Sequence, residues 1–173
     1  MALHLLHRTP TLDIYYDSWN DWLFADWQGE LTLAAVQAAC LKLADYLLRR
    51  PYARVLNSNT QVLTVEWEVA SWLARVFLPS LSLAGVTRLA WVCSPSLRGR
   101  HMVHTILREL PLLRLSIFDE LDEAVDWLQH DRTEYASGCG LPRRLATHQV
   151  QLELATQALA RSLRLASPAL RVA

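Results

Sequence analysis

Apolar and polar residues alternate in two short stretches near the start of the chain, residues 12–17 and 22–27. Both stretches are rich in aromatic and large aliphatic residues, and the segment 18–21 between them is typical of a turn. A period of two residues is typical of a strand with one buried face. The pattern predicts an N-terminal β-hairpin, with residues 1–11 as an arm before it.

Further along, the spacing of apolar residues changes to the helical period of three or four. A first helix is predicted from Thr32, which can act as N-cap, to the arginines that precede Pro51. A second is predicted from Thr64, also as N-cap, to the residues before Pro79, and a third spans about 98–110. Each is long enough to cover part of a sheet.

Short apolar runs between these helices predict strands at residues 53–57, 87–93 and 113–118. The polar cluster after the first run predicts a loop, residues 57–64, that leads into the second helix. Asp119 follows the last run and is expected to cap a final helix. Strands that alternate with helices indicate parallel pairing after the hairpin.

The predicted fold class is therefore α/β, with a small mixed sheet, an N-terminal β-hairpin and helices packed on the sheet, over residues 12–130. Residues 131–144 contain glycine, proline and charged residues and are predicted to form a linker. Beyond the linker, three leucines that lie seven residues apart predict a C-terminal helix over 145–166. That helix can dock on its own domain or pair with a second copy in a homodimer, and the pattern leaves both open.

Several residue groups, taken in order, are similar to those of a known domain family. They are Trp72, Phe77-Leu78-Pro79, Ala84-Gly85, Leu89-Ala90-Trp91-Val92, Phe118-Asp119, Glu123-Ala124 and Trp127-Leu128. Over residues 12–128 the chain resembles the SpoIIAA-like or STAS-like domains of bacteria, among which many stand-alone members have no assigned activity. The resemblance implies the STAS-like fold and a regulatory, non-catalytic role carried by contacts with a protein partner.

The resemblance also implies a place for regulation. In the anti-sigma-factor antagonists of this family, a partner kinase phosphorylates a serine or threonine at the start of the helix after the third strand, which switches partner binding. Carried onto this sequence, Ser58 and Thr60 are candidate phosphorylation sites, and Asn57 and Asn59 are candidate contacts with a partner or anion. Phosphorylation would add about 1.5 to 2 negative charges. Docking is therefore expected around the 57–64 loop and the following helix, although Asn57 replaces the aspartate of the family's Asp-Ser-Ser-Gly-like turn and no glycine follows.

The same broad fold recurs in CRAL-TRIO lipid-binding proteins, which suggests an alternative function. Large apolar residues on the second helix would then line a pocket, and the chain would be a carrier of a small, lipid-like apolar ligand. Apolar side chains at helical spacing otherwise form the core of a domain. Of the seven tryptophans, Trp67 is assigned to burial on this helix, whereas Trp19 in the hairpin would mark an interface if it is exposed.

Composition narrows the classes of partner. The 173-residue chain is 52% hydrophobic with a mean hydropathy of +0.11, which is typical of a globular protein, and its net charge of zero lacks the basic excess of nucleic-acid binders. No apolar run approaches the roughly 18 residues of a membrane-spanning helix, and no signal peptide is recognised, so a cytoplasmic location is expected. Three cysteines without CxxC spacing predict neither a disulfide framework nor a thiolate metal site, and no cofactor is expected.

The third helix carries the one basic patch that could have a function. Arg98 and Arg100 lie near its start and are candidate contacts for an anion or an acidic partner. His101 and His104 lie three residues apart, but the arginines beside them would repel a metal ion. No GxSxG, P-loop or GxGxxG motif is present, so the chain is not expected to be an enzyme.

Overall fold

The structure is a computed structural model that describes residues 1–109, 114–130 and 146–166. Its elements are β1 (Leu3–Arg8), β2 (Leu12–Asp17), β3 (Trp22–Leu31), α1 (Leu33–Arg49), β4 (Arg54–Val65), α2 (Trp67–Trp72), a π-helical turn (Leu73–Phe77), α3 (Leu78–Leu83), β5 (Arg88–Val92), α4 (Leu97–Glu109), β6 (Arg114–Phe118), α5 (Leu121–His130) and α6 (Ala146–Ala166). The predicted linker lies outside the described residues, as does Leu145.

All six strands form one sheet, in which the spatial order is the order of the chain, β1 to β6. The first three strands are antiparallel neighbours, whereas β3, β4, β5 and β6 are parallel. Short turns suffice for the antiparallel pairs, while each parallel pair needs a crossover helix. The predicted α/β class, its mixed sheet and the hairpin of β2 and β3 are confirmed. The predicted arm contributes β1, an additional antiparallel strand at the sheet edge.

The turn between β2 and β3 is organised by the buried side chain of Asp17. Its carboxylate accepts hydrogen bonds from the backbone N–H of Ala2 at 3.0 Å, the backbone N–H of Trp19 at 3.1 Å and the side-chain amide of Asn20 at 2.7 Å. Burial alone would raise the pKa of Asp17, but these donors lower it below the ordinary value. The turn holds the start of the chain and presents Trp19 to solvent, 72% exposed.

The two faces of the sheet are covered unequally. Alternate strand residues such as Leu23, Val55 and Leu89 share one large core with α1, α2, α3 and α4, and this side is called the first face. The intervening residues point the other way. Among residues 1–109, 114–130 and 146–166, Trp22, Leu56 and their neighbours pack against α5 alone, in a smaller core on the second face.

The C-terminal helix α6 packs within its own chain, against α1 and α3. Leu152 and Leu159, two of the three leucines that predicted it, are buried there. Of the two arrangements left open by the sequence, docking on its own domain is therefore the one that the structure contains. Val150 and Leu154 on the same helix are exposed.

The predicted 57–64 loop is wrong, because this segment is the continuation of β4. The strand extends to Val65 since β3 is itself long and pairs with it as far as Leu31. The second helix consequently begins at Trp67, with Glu66 rather than Thr64 as N-cap. At the other end of the domain, α5 begins at Leu121, later than a cap at the predicted aspartate would place it.

Candidate functional site

The outer half of β4 extends beyond the end of β5, its neighbour on one side. Pairing between β4 and β5 ends at Ser58 and Val92, whereas pairing between β4 and β3 continues to Val65. We call residues 60–65 the outer β4 segment. On the side without a paired strand, the hydroxyl of Ser94 donates a hydrogen bond to the carbonyl of Val62 at 3.0 Å. The segment is thus held in place while much of it stays accessible.

Large apolar side chains are exposed here and at the start of α2. Leu63 is 68% exposed and Trp67 is 66% exposed, whereas the neighbouring Val62 and Val65 are buried in the first-face core. Single exposed apolar side chains are common on protein surfaces, but an exposed tryptophan beside a fixed strand end is typical of a contact surface. The burial expected for Trp67 from the sequence is therefore wrong.

A groove lies between the first turns of α1 and α2, next to the outer β4 segment. Thr32 caps α1 by accepting a hydrogen bond from the N–H of Ala35 at 3.2 Å, and Glu66 accepts one from the N–H of Leu33 at 2.7 Å. The groove has a volume of about 540 Å³ and is lined by Glu30, Leu31, Thr32, Leu33, Thr64, Val65, Glu66, Trp67 and Glu68. We call it the helix-start groove.

The two candidate phosphorylation sites differ in accessibility. Ser58 is 2% exposed, and its hydroxyl lies 3.0 Å from that of Thr60, which is exposed. Both residues lie within β4 rather than at a helix start. Ser58 pairs across the sheet with Asp26, whose pKa is raised by burial; the Ser58 hydroxyl opposes this shift and the Asp13 carboxylate adds to it.

Asn57 and Asn59, the candidate partner contacts, lie in the first-face core. Asn57 accepts a hydrogen bond from Nε1 of Trp27 at 2.9 Å. In the amide orientation that satisfies Asn59, its oxygen accepts one from Nε1 of Trp91, also at 2.9 Å. Two indole donors therefore satisfy two asparagines that a polar sequence pattern had placed in a surface loop. These side chains stabilise the core and offer no surface to a partner.

An internal cavity adjoins these asparagines and is otherwise lined by apolar residues of the first-face core, from strands β3, β4 and β5, from helices α1 to α4 and from the π-helical turn. Its volume is about 30 Å³, which is room for about two water molecules. Pockets that enclose small ligands have volumes of about 300 Å³ or more. The cavity therefore gives no support to the alternative of a lipid-like carrier.

The basic patch on α4 is partly neutralised. Arg100 forms an ion pair with Asp119 at 3.0 Å. The side chain of Arg98 lies outside the described residues. The ring of His101 contacts that of Trp67 edge-on, with 6.0 Å between centroids. Across the described ranges, no group of three histidine, cysteine, aspartate or glutamate residues is arranged to hold a metal ion.

The described cysteines do not form reactive thiolates. Burial raises the pKa of Cys40 well above its ordinary value. Burial also raises the pKa of Cys93, as does the nearby Asp119 carboxylate, while Arg100 opposes the shift. Both groups therefore remain protonated thiols at neutral pH.

Leu63 and Trp67, the exposed apolar residues of this site, were not predicted from the sequence. A signal was present, because Trp67 lies between two glutamates, Glu66 and Glu68, at a helix start. Glutamates in a first helical turn favour solvent and the positive end of the helix dipole, so the residue between them is also drawn toward the surface. Leu63 carried no such signal, since its exposure depends on where β5 ends.

No protein-family model matches the chain, and no curated protein matches it. Among solved structures, the chain is similar to an uncharacterized DUF3478-family protein with a SpoIIAA-like fold from Shewanella loihica PV-4. That pair has 15% identity and a TM-score of 0.45 over 73% of this chain and 92% of the other. It is also similar to the anti-sigma factor antagonist SpoIIAA in its unphosphorylated form, with 18% identity and a TM-score of 0.44 over 77% of this chain and 96% of the other.

Within the described part of the chain, every helix is too short or too polar to cross a membrane. The two structural likenesses concern the fold alone, an α/β domain of the SpoIIAA-like kind that the sequence also predicts.

Proposed function

We propose that this chain is a non-catalytic protein-interaction module, similar in role to the STAS anti-sigma-factor antagonists. It docks through the outer β4 segment and the first turn of α2. The observation that carries the proposal is the exposure of Leu63 and Trp67 on backbone that the sheet and the Ser94 hydroxyl hold in place. Exposed apolar anchors on rigid backbone favour binding because little conformational entropy is lost on association.

The polar groups near this surface favour binding over catalysis. Asn57 and Asn59 are occupied by indole donors, and the described thiols are protonated. An active site would instead bring a nucleophile, a base and an oxyanion donor together around one open pocket. The internal cavity, at about 30 Å³, is too small for a substrate as it stands.

Covalent regulation of the module is proposed at Thr60 in preference to Ser58. The hydroxyl of Thr60 is on an exposed residue at the beginning of the outer β4 segment, whereas Ser58 is buried beneath it. A phosphate on Thr60 would place about 1.5 to 2 negative charges beside the docking surface, which would weaken binding of an apolar or acidic partner and strengthen binding of a cationic one. Intact-mass and phosphopeptide analysis of protein from the source cells tests this, and an unmodified Thr60 in all growth conditions would overturn it.

Site-specific photo-crosslinking in cells of the source organism tests the docking surface. A benzophenone amino acid replaces Leu63, 68% exposed, in one variant and Leu154, a 54% exposed leucine on α6, in a matched control. We expect one dominant protein adduct from position 63 and none of that mass from position 154. Equal adducts from the two positions, or none from position 63, would contradict the proposal. An adduct between two copies from position 154 would instead support dimerisation through α6.

A further inference from the structure

The helix-start groove points to the chemistry of the partner. We infer that it receives a protein segment in which a bulky apolar residue is flanked by lysine or arginine. The apolar residue packs against Trp67, and the cations lie against the carboxylates of Glu30, Glu66 and Glu68. The inference rests on the proposed function, because it names the kind of partner that docks at the same surface.

The charge of the groove follows from its lining residues. All three glutamates are exposed, and the other described lining residues are apolar or carry hydroxyl groups. The starts of α1 and α2 contribute about half a positive charge each. Three carboxylates therefore leave the groove with about two negative charges in excess, which favours a cationic partner over a neutral or acidic one.

Part of this acidity has a structural role, and the rest is surplus to it. Glu66 holds the first turn of α1 through its hydrogen bond to Leu33, and Glu68 lies in the first turn of α2. Glu30 is on β3, outside both helices, and caps neither of them. Glu66 is thus the carboxylate with a capping hydrogen bond, Glu68 lies near the positive end of the α2 dipole, and Glu30 has neither role.

The apolar part of the groove supplies the anchor. Trp67 exposes most of its side chain at the groove wall, and a smaller hollow of about 230 Å³ lies on its other side, toward His101 and Met102. Tryptophan is among the residues that carry most of the binding energy in interfaces, whereas exposed ion pairs at a rim mainly set partner choice and association rate. A segment with an apolar residue between cations fits both parts of the groove.

Titration calorimetry with the full chain and a synthetic peptide tests the inference. The probe is a capped 12-residue peptide that contains three arginines, two leucines and otherwise serine and glycine. We expect one peptide to bind per chain at low salt, with affinity that falls as ionic strength rises. The double substitution Glu30→Gln and Glu68→Gln is expected to weaken binding about tenfold, while Glu66 is kept because it holds α1.

Asp122→Asn with Glu123→Gln is the matched control, since it removes the same charge from the exposed start of α5 on the second face. It is expected to change peptide affinity less than about twofold. Absence of binding, equal weakening by the control, or equal binding of a peptide with glutamate in place of arginine would each overturn the inference. If the position-63 adduct forms while the groove substitutions have no effect on peptide affinity, the proposed docking surface is retained and the inference of a cationic partner is rejected. If neither is seen, both proposals fail.

Discussion

The two faces of the sheet reach stability by different means. On the first face, α1, α2, α3 and α4 bury one continuous apolar core. On the second face, α5 is the one helix of the described ranges that covers the sheet, and two arginines from the beginnings of β4 and β5 donate hydrogen bonds to its last turn. A face covered by four helices can be stabilised by buried apolar area alone. A face covered by one short helix gains additional stability from hydrogen bonds made by charged side chains.

The two arginines donate hydrogen bonds to backbone carbonyls in the last turn of α5. Arg88, almost fully buried, donates a hydrogen bond to the carbonyl of Trp127 at 3.0 Å, with its guanidinium 4.0 Å from the centre of that ring. Arg54 donates to the carbonyl of Leu128 at 3.1 Å and also to that of Asn20. The final carbonyls of a helix lack partners within it and carry the negative end of its dipole, so cations are well placed there.

The largest effect is expected from a cavity in the first face. Leu47→Ala removes a buried side chain from the middle of that core and should lower the free energy of unfolding by about 3 kcal/mol. Urea denaturation followed by circular dichroism measures this. We expect one cooperative transition at a lower midpoint with an unchanged slope. A loss below about 1 kcal/mol would mean that the first face is less tightly packed than described.

A smaller and more local effect is expected from the second face. Arg88→Met keeps much of the side-chain volume but removes the hydrogen bond to Trp127 and the contact with its ring, at a cost of about 2 kcal/mol. Amide hydrogen exchange should show α5 losing protection while α1 keeps it. Equal loss in the two helices would show that the faces are not energetically distinct.

The matched control for this substitution is Arg100→Met on α4. Its guanidinium forms an exposed ion pair with Asp119, in which both side chains are about half accessible. Exposed pairs of this kind contribute about 0 to 1 kcal/mol, so the free energy of unfolding should hardly change. The difference in free energy of unfolding between the two variants measures how much more a buried arginine contributes to stability than an exposed one.

The sequence predicted the elements that repeat a simple period and missed those that depend on neighbours. The hairpin and the alternation of strands and helices were readable because each strand run is short and bounded by turn residues. The outer half of β4 was not, since it begins with the polar run 57–61. A strand there requires β3 beside it and an indole donor for Asn57. Neither of these conditions can be recognised from the local sequence pattern.

The candidate site shows the same limit. The proposed docking surface overlaps the 57–64 segment expected from the sequence, but Leu63 and Trp67 are accessible there beside the predicted Thr60, whereas the asparagines are buried. Which side chains of a polar strand point inward is decided by the register of its neighbours. The contact between Arg88 and α5 could not be predicted for a related reason. A charged residue at the start of a strand is expected to be exposed unless its partner on a helix is known.

A modest gain in stability is expected from Asp26→Asn on the second face. The pKa of Asp26 is raised above its ordinary 3.8, chiefly by burial, so the folded state binds its proton more tightly than the unfolded state. The stabilisation from that proton is complete below pH 3.8 and is lost as pH rises through the folded-state pKa. At pH 7 the asparagine variant should be more stable by less than about 1 kcal/mol.

Asp17 is expected to show the opposite dependence, and it provides the comparison for this measurement. Its pKa is lowered by hydrogen bonds, so its contribution is present above pH 3.8 and is lost as pH falls through the lower folded-state pKa. Urea midpoints of the wild type and of Asp26→Asn between pH 3 and pH 7 separate the two groups. A variant that is less stable than the wild type at pH 7 would show that the ionised Asp26 is satisfied by its surroundings.

The smallest effect on stability is expected from the two exposed tryptophans, because neither belongs to the buried core of either face. Trp19→Ser and Trp67→Ser should each change the free energy of unfolding by less than about 0.5 kcal/mol. Their effects on binding should differ. Loss of Trp67 removes the anchor of the helix-start groove and should abolish the photo-adduct formed from position 63, whereas loss of Trp19, on the β2–β3 turn, should leave that adduct intact. If Trp19→Ser alone abolishes the adduct, the partner docks on the hairpin end of the sheet instead.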